Sequence, residues 1–182
     1  MDTTQFKATE VTDDEDYHDG QAAEPSEPKL TGRLTTIEDV IAYATAGRAK
    51  LTLKSTKTEA RFTYKIKKPH PNSYYSRSKI AFFVELMNGP DNENNFNYLG
   101  CINNEQSGMR FVHGKKSKIG ADAPSATVFN WFWNHVVAQR RLVDGLEVWH
   151  EGTCCRCGRS LTVPESVRDG IGPECRKKMG VL

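Results

Sequence analysis

Three cysteines and the glycines around them constrain this chain more than any other feature. The segment Cys154-Cys155-Arg156-Cys157-Gly158-Arg159 sets two cysteines at Cys-x-x-Cys spacing. Gly170-Ile171-Gly172-Pro173-Glu174-Cys175 brings up a third behind a second glycine-rich turn. A tight turn at that spacing points both sulfurs to one side, where backbone amides can stabilise negative charge, and Gly158 lets the turn reach positive φ. So short a segment cannot bury a core of its own. A bound zinc ion would supply most of its folding free energy, on the order of 10 kcal/mol. Five cysteines in all, an odd number with three of them within four residues, read as metal ligands before disulfides.

A structural zinc site takes four ligands, and Cys154, Cys157 and Cys175 supply three. We expect His150 to be the fourth, because it precedes Cys154 at the end of an expected strand and its imidazole could turn inward. Cys155 is the rival, although its side chain should point away from a metal held by its neighbour. A water molecule or other ligand is the third option. Glu151 and Glu174 would be the candidate bases of a catalytic site, but a filled His-Cys-Cys-Cys set favours a structural ion.

Cys154, Cys157, Gly158, Arg159, Leu161, Thr162, Pro164 and Ser166, followed by Gly170, Ile171, Gly172, Pro173 and Cys175, form a longer pattern. It resembles an uncharacterised zinc-binding domain family of bacteriophage and bacterial proteins, over about residues 148–179. The segment before it, with its Gly-Pro-Asp-Asn loop, also looks like what precedes this module in phage proteins. Cys155 departs from the usual residue of that family. The resemblance implies a zinc site and a phage or mobile-element setting, with no established activity.

Charge divides the chain unevenly. Residues 1–28 carry nine acids (Asp2, Glu10, Asp13, Asp14, Glu15, Asp16, Asp19, Glu24, Glu27) against Lys7, a net −8; the other 24 bases and 14 acids leave the rest at +10. Hydrophobic content of 37% is low for a fully packed chain. Residues 1–33 are therefore expected to be a disordered acidic arm, residues 34–146 an α+β domain and residues 147–182 the zinc-binding module. No apolar run approaches the ~20 residues that span a bilayer, and the acidic start resembles neither a secretory signal nor a transit peptide. The expectation is a soluble cytoplasmic protein without a membrane partner.

The body reads as one mainly antiparallel sheet of four to six strands with two flanking helices. Thr35 or Thr36 caps a first helix running to Gly47, since Glu38 and Asp39 stand at capping-box spacing. Alternating apolar residues predict strands at Leu51–Lys54 and Phe62–Ile66. Pro69 and Pro71 keep 67–79 out of regular structure. Further strands are expected at Ile80–Met87, Phe96–Ile102, Met109–His113 and Val143–Trp149. A second helix should run from about Ser125 to Arg140, capped by Asp122 or Ser125, with Trp131, Trp133 and Trp149 joining helix, sheet and module.

Bases cluster at Lys65, Lys67 and Lys68, at Arg77 and Lys79, at Lys115, Lys116 and Lys118, and at Arg140 and Arg141. Tyr74 and Tyr75 interleave with them, a combination that stacks bases while neutralising phosphates. Arg176, Lys177 and Lys178 add charge near the end. No P-loop, Rossmann fingerprint, nucleophile elbow, HExxH or deaminase pattern occurs in the sequence. We therefore expect binding rather than catalysis, with nucleic acid or a nucleoprotein complex as partner. The alternatives are a phage inhibitor of a host defence or nucleic-acid-processing protein and, as an enzyme, a zinc-dependent enzyme of nucleic acid.

Overall fold

A computed structural model describes residues 32–91 and 93–180 of the chain. The acidic arm, up to residue 31, lies outside the described residues. Seven antiparallel strands form one sheet in the order β1-β7-β2-β3-β4-β5-β6. They are β1 Gly32–Leu34, β2 Arg48–Ser55, β3 Arg61–Lys67, β4 Ile80–Met87, β5 Phe96–Glu105, β6 Gly108–His113 and β7 Leu146–His150. The expected α+β class is what the chain adopts. The strand count exceeds the expected four to six because β1, only three residues long, begins inside the segment read as arm.

Four helices accompany the sheet: α1 Ile37–Thr45, α2 Pro124–Trp131, α3 Pro164–Asp169 and α4 Pro173–Met179. Thr36, rather than Thr35, caps α1: its hydroxyl accepts the Asp39 N–H at 3.1 Å and donates to the Asp39 carboxylate at 2.6 Å. α2 has no side-chain cap, so neither Asp122 nor Ser125 serves; Pro124 opens it and the preceding residue is Ala123. From Phe132 to Val137 the helix continues in π geometry, with Ala138 N–H bonding five residues back to the Trp133 carbonyl.

Pairing fixes the two faces. Leu51 stands opposite both Tyr64 and His150, and Leu53 opposite Val148, so these side chains share one face. Tyr43 of α1 packs on His150 and Phe129 of α2 packs on Tyr64, so both helices cover that same face. The core there is a run of rings: Phe129 meets Tyr64, Phe111, Phe132 and Trp133 at centroid separations of 4.7–6.2 Å. The Tyr64 hydroxyl donates to the Ser125 carbonyl and the Trp133 indole to that of Met109, so the polar tips of these rings are satisfied. Trp133 alone among the tryptophans fills the joining role expected of all three. Trp131 is exposed, and Trp149, opposite Thr52, lies on the other face of the sheet.

The edge strand β6 is closed by a side chain. Asn134 accepts the Phe111 N–H at 2.9 Å and donates to the Phe111 carbonyl at 3.0 Å, mimicking a further strand. The opposite face carries Arg48, Lys50, Thr52, Lys65, Lys67, Phe83, Glu85 and Tyr98 by the same parity. Phe129→Ala should cost about 3–5 kcal/mol, since the ring is fully buried among four others. Chemical denaturation measures this, and a loss below about 1 kcal/mol would mean that the ring cluster does not anchor α2.

Candidate metal centre and the basic face beside it

The chain leaves the sheet at the end of β7 and turns at once into a knuckle. Thr153 and Ser160 bridge in antiparallel fashion. Within that small hairpin the Gly158 N–H bonds the Cys154 carbonyl at 2.7 Å, closing the turn between the two cysteines; Gly158 has φ of 78°. α3 then ends at Gly170 in the left-handed region, and Pro173 opens α4 so that Cys175 falls in its first turn. Asp169 pairs with Arg168 and with Arg176, tying the end of α3 to α4. The Sγ atoms of Cys154, Cys157 and Cys175 all lie within 4.8 Å of one another.

The chemistry of this donor set suits a metal ion. Burial pushes the Cys154 thiol up, but N–H groups of Gly172, Cys157 and Arg156 donate to its sulfur and bring it down to about 7. Amide donors aimed at sulfur stabilise a thiolate, the form that ligates metals. Cys175 is raised by burial and by sharing its hydrogen bonds with the other two sulfurs. Three thiolates this close repel one another, and a cation between them would relieve that.

His150 is not brought into this cluster. It is fully buried on the helix-covered face, with its ring 5.2 Å from that of Tyr43. Nδ1 accepts the Gly152 N–H at 3.1 Å, and Nε2 faces the Arg168 carbonyl. Burial holds its pKa below the ordinary imidazole value. The strand parity explains the difference from expectation: His150 shares the face of Leu51 and Val148, so its ring enters the core beneath the knuckle. Cys155 also points into the core, where burial and the adjacent Cys154 push its thiol up to about 12. Among the described residues, no fourth His, Cys, Asp or Glu joins the three sulfurs.

Beside the knuckle lies a cleft of about 770 Å³, lined by Arg48, Lys50, Lys65, Lys67, Lys68 and Arg156 and bordered by Cys157 and Gly158. Its acid is Glu93, which bonds Lys50 at 2.9 Å, while Glu151 takes the same ammonium at 2.9 Å from the other side. Lys67 pairs with Glu85 at 2.7 Å. Arg48, Lys65, Lys68 and Arg156 have no carboxylate partner among the described residues. Burial, followed by the nearby Lys50 ammonium, pulls the Lys65 pKa down. Arg48, Lys68 and Arg156 thus face the cleft without an ion-paired acid, while Lys65 feels the charges of Glu93 and Glu85.

The other expected contact residues divide into two groups. Tyr74, Tyr75 and Arg77 form a 3-10 turn, a local order that the prolines did not forbid, and Lys79 follows it exposed. Tyr75 meets Lys115 and Lys116 in a second groove, of about 300 Å³, whose floor is Phe83, Tyr98 and Ile80. Lys118 is exposed beyond that groove. Arg140 and Arg141 lie on the helix side, where Arg140 reaches Glu38 of α1 at 3.7 Å, away from both clefts. Sequence reading missed Arg48, Arg156, Phe83 and Tyr98. The available signal was parity: Arg48 and Phe83 fall on the same sheet face as Lys65 and Lys67.

Purified protein should carry one metal ion per chain. Cys154→Ser or Cys175→Ser should abolish it, while Cys155→Ala and His150→Gln keep it. Metal analysis by mass spectrometry after gel filtration reads the outcome, and loss of metal in His150→Gln without loss of fold would restore His150 as a ligand. Apparent metal affinity should fall as pH drops from about 8 to about 6, because protons then compete for thiolates of which Cys154 titrates near 7.

A family model matches the chain over this segment: it is described as "Family of unknown function (DUF6011)" and covers residues 146–180. No curated protein matches the chain, and no solved structure does. The strand, cysteine knuckle and two short helices that build the metal centre are therefore similar to the family of unknown function DUF6011, and the similarity begins at the first residue of β7.

Proposed function

We propose that this protein binds nucleic acid, alone or within a nucleoprotein complex, through the uncovered face of its sheet. The knuckle would be held by a zinc ion on Cys154, Cys157 and Cys175. One observation carries the reading: the uncompensated basic cleft and the aromatic groove are neighbours on one surface. Lys67, in the wall of the first, stands directly opposite Phe83, in the floor of the second, across the β3–β4 pair. Cations without acids attract phosphates, and exposed rings beside them accept bases.

A binding role agrees with the setting of Glu151 beside the cysteine cluster, where the nearly buried Lys50 ammonium holds its carboxylate. The phage setting rests on the resemblance of the cysteine segment alone, and the net charge of −8 on residues 1–28 suits a competitor for the same face.

Fluorescence anisotropy with labelled DNA and RNA across a salt series tests this. Affinity should fall steeply with salt, and deleting residues 1–28 should tighten binding. Replacing Arg48 and Lys68 together by alanine should flatten the slope by about 0.7–0.9 for each phosphate that is no longer neutralised. Absence of binding at low salt in both the full and shortened chains would overturn the proposal. The search would then move to contact with a host protein, as an inhibitor of a defence or nucleic-acid-processing factor.

A further inference from the structure

The aromatic groove says which form of nucleic acid suits this face. We infer that it is a seat for one unpaired base, so that the protein selects single strands over duplexes; this rests on the binding proposed above. The groove is a built feature rather than a gap between mobile side chains. Tyr75 stands edge-on to Phe83 at 5.3 Å and 90°, and Phe83 meets Tyr98 at 6.3 Å and 66°. Three rings from separate elements thus form a floor and walls. Tyr75 comes from the 3-10 turn, Phe83 from β4 and Tyr98 from β5. Tyr74, 88% exposed, stands edge-on to Tyr75 at 5.8 Å and extends the aromatic rim outward.

The loop that carries Lys115 and Lys116 is tied down beside these rings by its backbone. Gly114 packs so closely on Tyr98 that an added Cβ would run into the ring. The Gly114 N–H bonds the Leu99 carbonyl at 3.0 Å, and the Ser117 hydroxyl donates to the Tyr98 carbonyl at 2.9 Å. Lys115 and Lys116 lie between these two ties, and both line the groove. Neither has a carboxylate partner among the described residues.

A volume of about 300 Å³ is at the lower end of ligand sites, room for one planar ring system with its sugar. A paired base has both faces stacked and its edge in a groove, so it cannot reach such a floor without leaving the helix. A base in a single strand turns out freely and brings its phosphates to Lys115 and Lys116. Lys67 and the basic cleft then lie in the path of the backbone on one side.

Three labelled probes of about a dozen nucleotides discriminate: an oligothymidine strand, a duplex of the same length, and a strand of abasic sites that keeps only the backbone. The full chain should bind the oligothymidine at least about tenfold tighter than either of the others. Tyr75→Ala, an exposed position, should lose about tenfold on oligothymidine alone, and Phe83→Leu should do the same while keeping the strand apolar. Replacing Lys115 and Lys116 by alanine should weaken all three probes and flatten the salt slope. Equal affinity for the three probes, or an unchanged preference in both aromatic variants, would overturn the base seat while leaving a nucleic-acid surface standing. Failure to bind any probe would overturn the proposed function itself, and the seat with it.

Discussion

The packing of His150 ties the two halves of this protein together. β7 lies between β1 and β2, and its last residue turns an imidazole into the core beneath the knuckle. Gly32 of β1 approaches the ring so closely that a Cβ there would overlap it. Gly170, at the end of α3, presses on Tyr43, where an added Cβ would come within 2.6 Å of the ring. A neutral imidazole with both nitrogens engaged costs little to bury, and it fills the space between sheet, α1 and α3. Around it the Tyr43 hydroxyl donates to the Lys50 and Thr153 carbonyls, the Arg48 N–H bonds the Cys155 carbonyl, and the Cys155 N–H bonds that of Gly170. The cysteine cluster is therefore an extension of the sheet, positioned by the same core that orders β1, β2 and α1.

This attachment sets the electrostatics of the uncovered face. Three ion pairs lie on that face: Arg33 with Glu147, Lys54 with Glu59 and Lys67 with Glu85. Matching fails where the knuckle meets β2 and β3. Lys50, 6% exposed, draws in both Glu93 and Glu151, the acids that could have balanced Arg48, Lys65 and Arg156. Two carboxylates around one nearly buried ammonium lock the 88–95 turn to the exit of β7. They leave the rim of the cleft cationic. Lys50 and Glu151 are both nearly buried, so removing either would leave an uncompensated charge, and their pairing also leaves unshared charge at the rim.

Much of this was legible in the sequence, and the failures share a cause. The alternation of Leu51 with Lys50 and Thr52, the hydroxyl of Thr36 and the spacing of Cys154 and Cys157 each act locally, so the strand, the cap and the turn could be read directly. His150 was misplaced because its direction depends on pairing with Leu51 and Gly32, distant in the chain. β1 went unseen because three residues carry no period. β4, apolar at Ile80, Ala81, Phe82 and Phe83 alike, hides which ring faces out until its partners fix the parity. The register shifts between Ile80 and Phe82 and between Val84 and Glu85 add to this, since a bulge moves every later side chain to the other face. Phe83 and Tyr98 could not be told from core residues by inspection.

Parity also bears on how one ligand could use both clefts. Basic cleft and aromatic groove are built on neighbouring strands, from β2 and β3 to β4 and β5. The two meet at β3 and β4, and their outer strands, β2 and β5, are three spacings of ~4.8 Å apart, or roughly 14 Å. A site of about 4–16 nucleotides covers such a distance without bending sharply. If the groove seats an unpaired base as proposed, a flexible strand could reach it while its phosphates stay near Lys67, and Tyr74, 88% exposed, would offer one more ring at the rim. Selectivity for single strands would then need no contact that reads sequence.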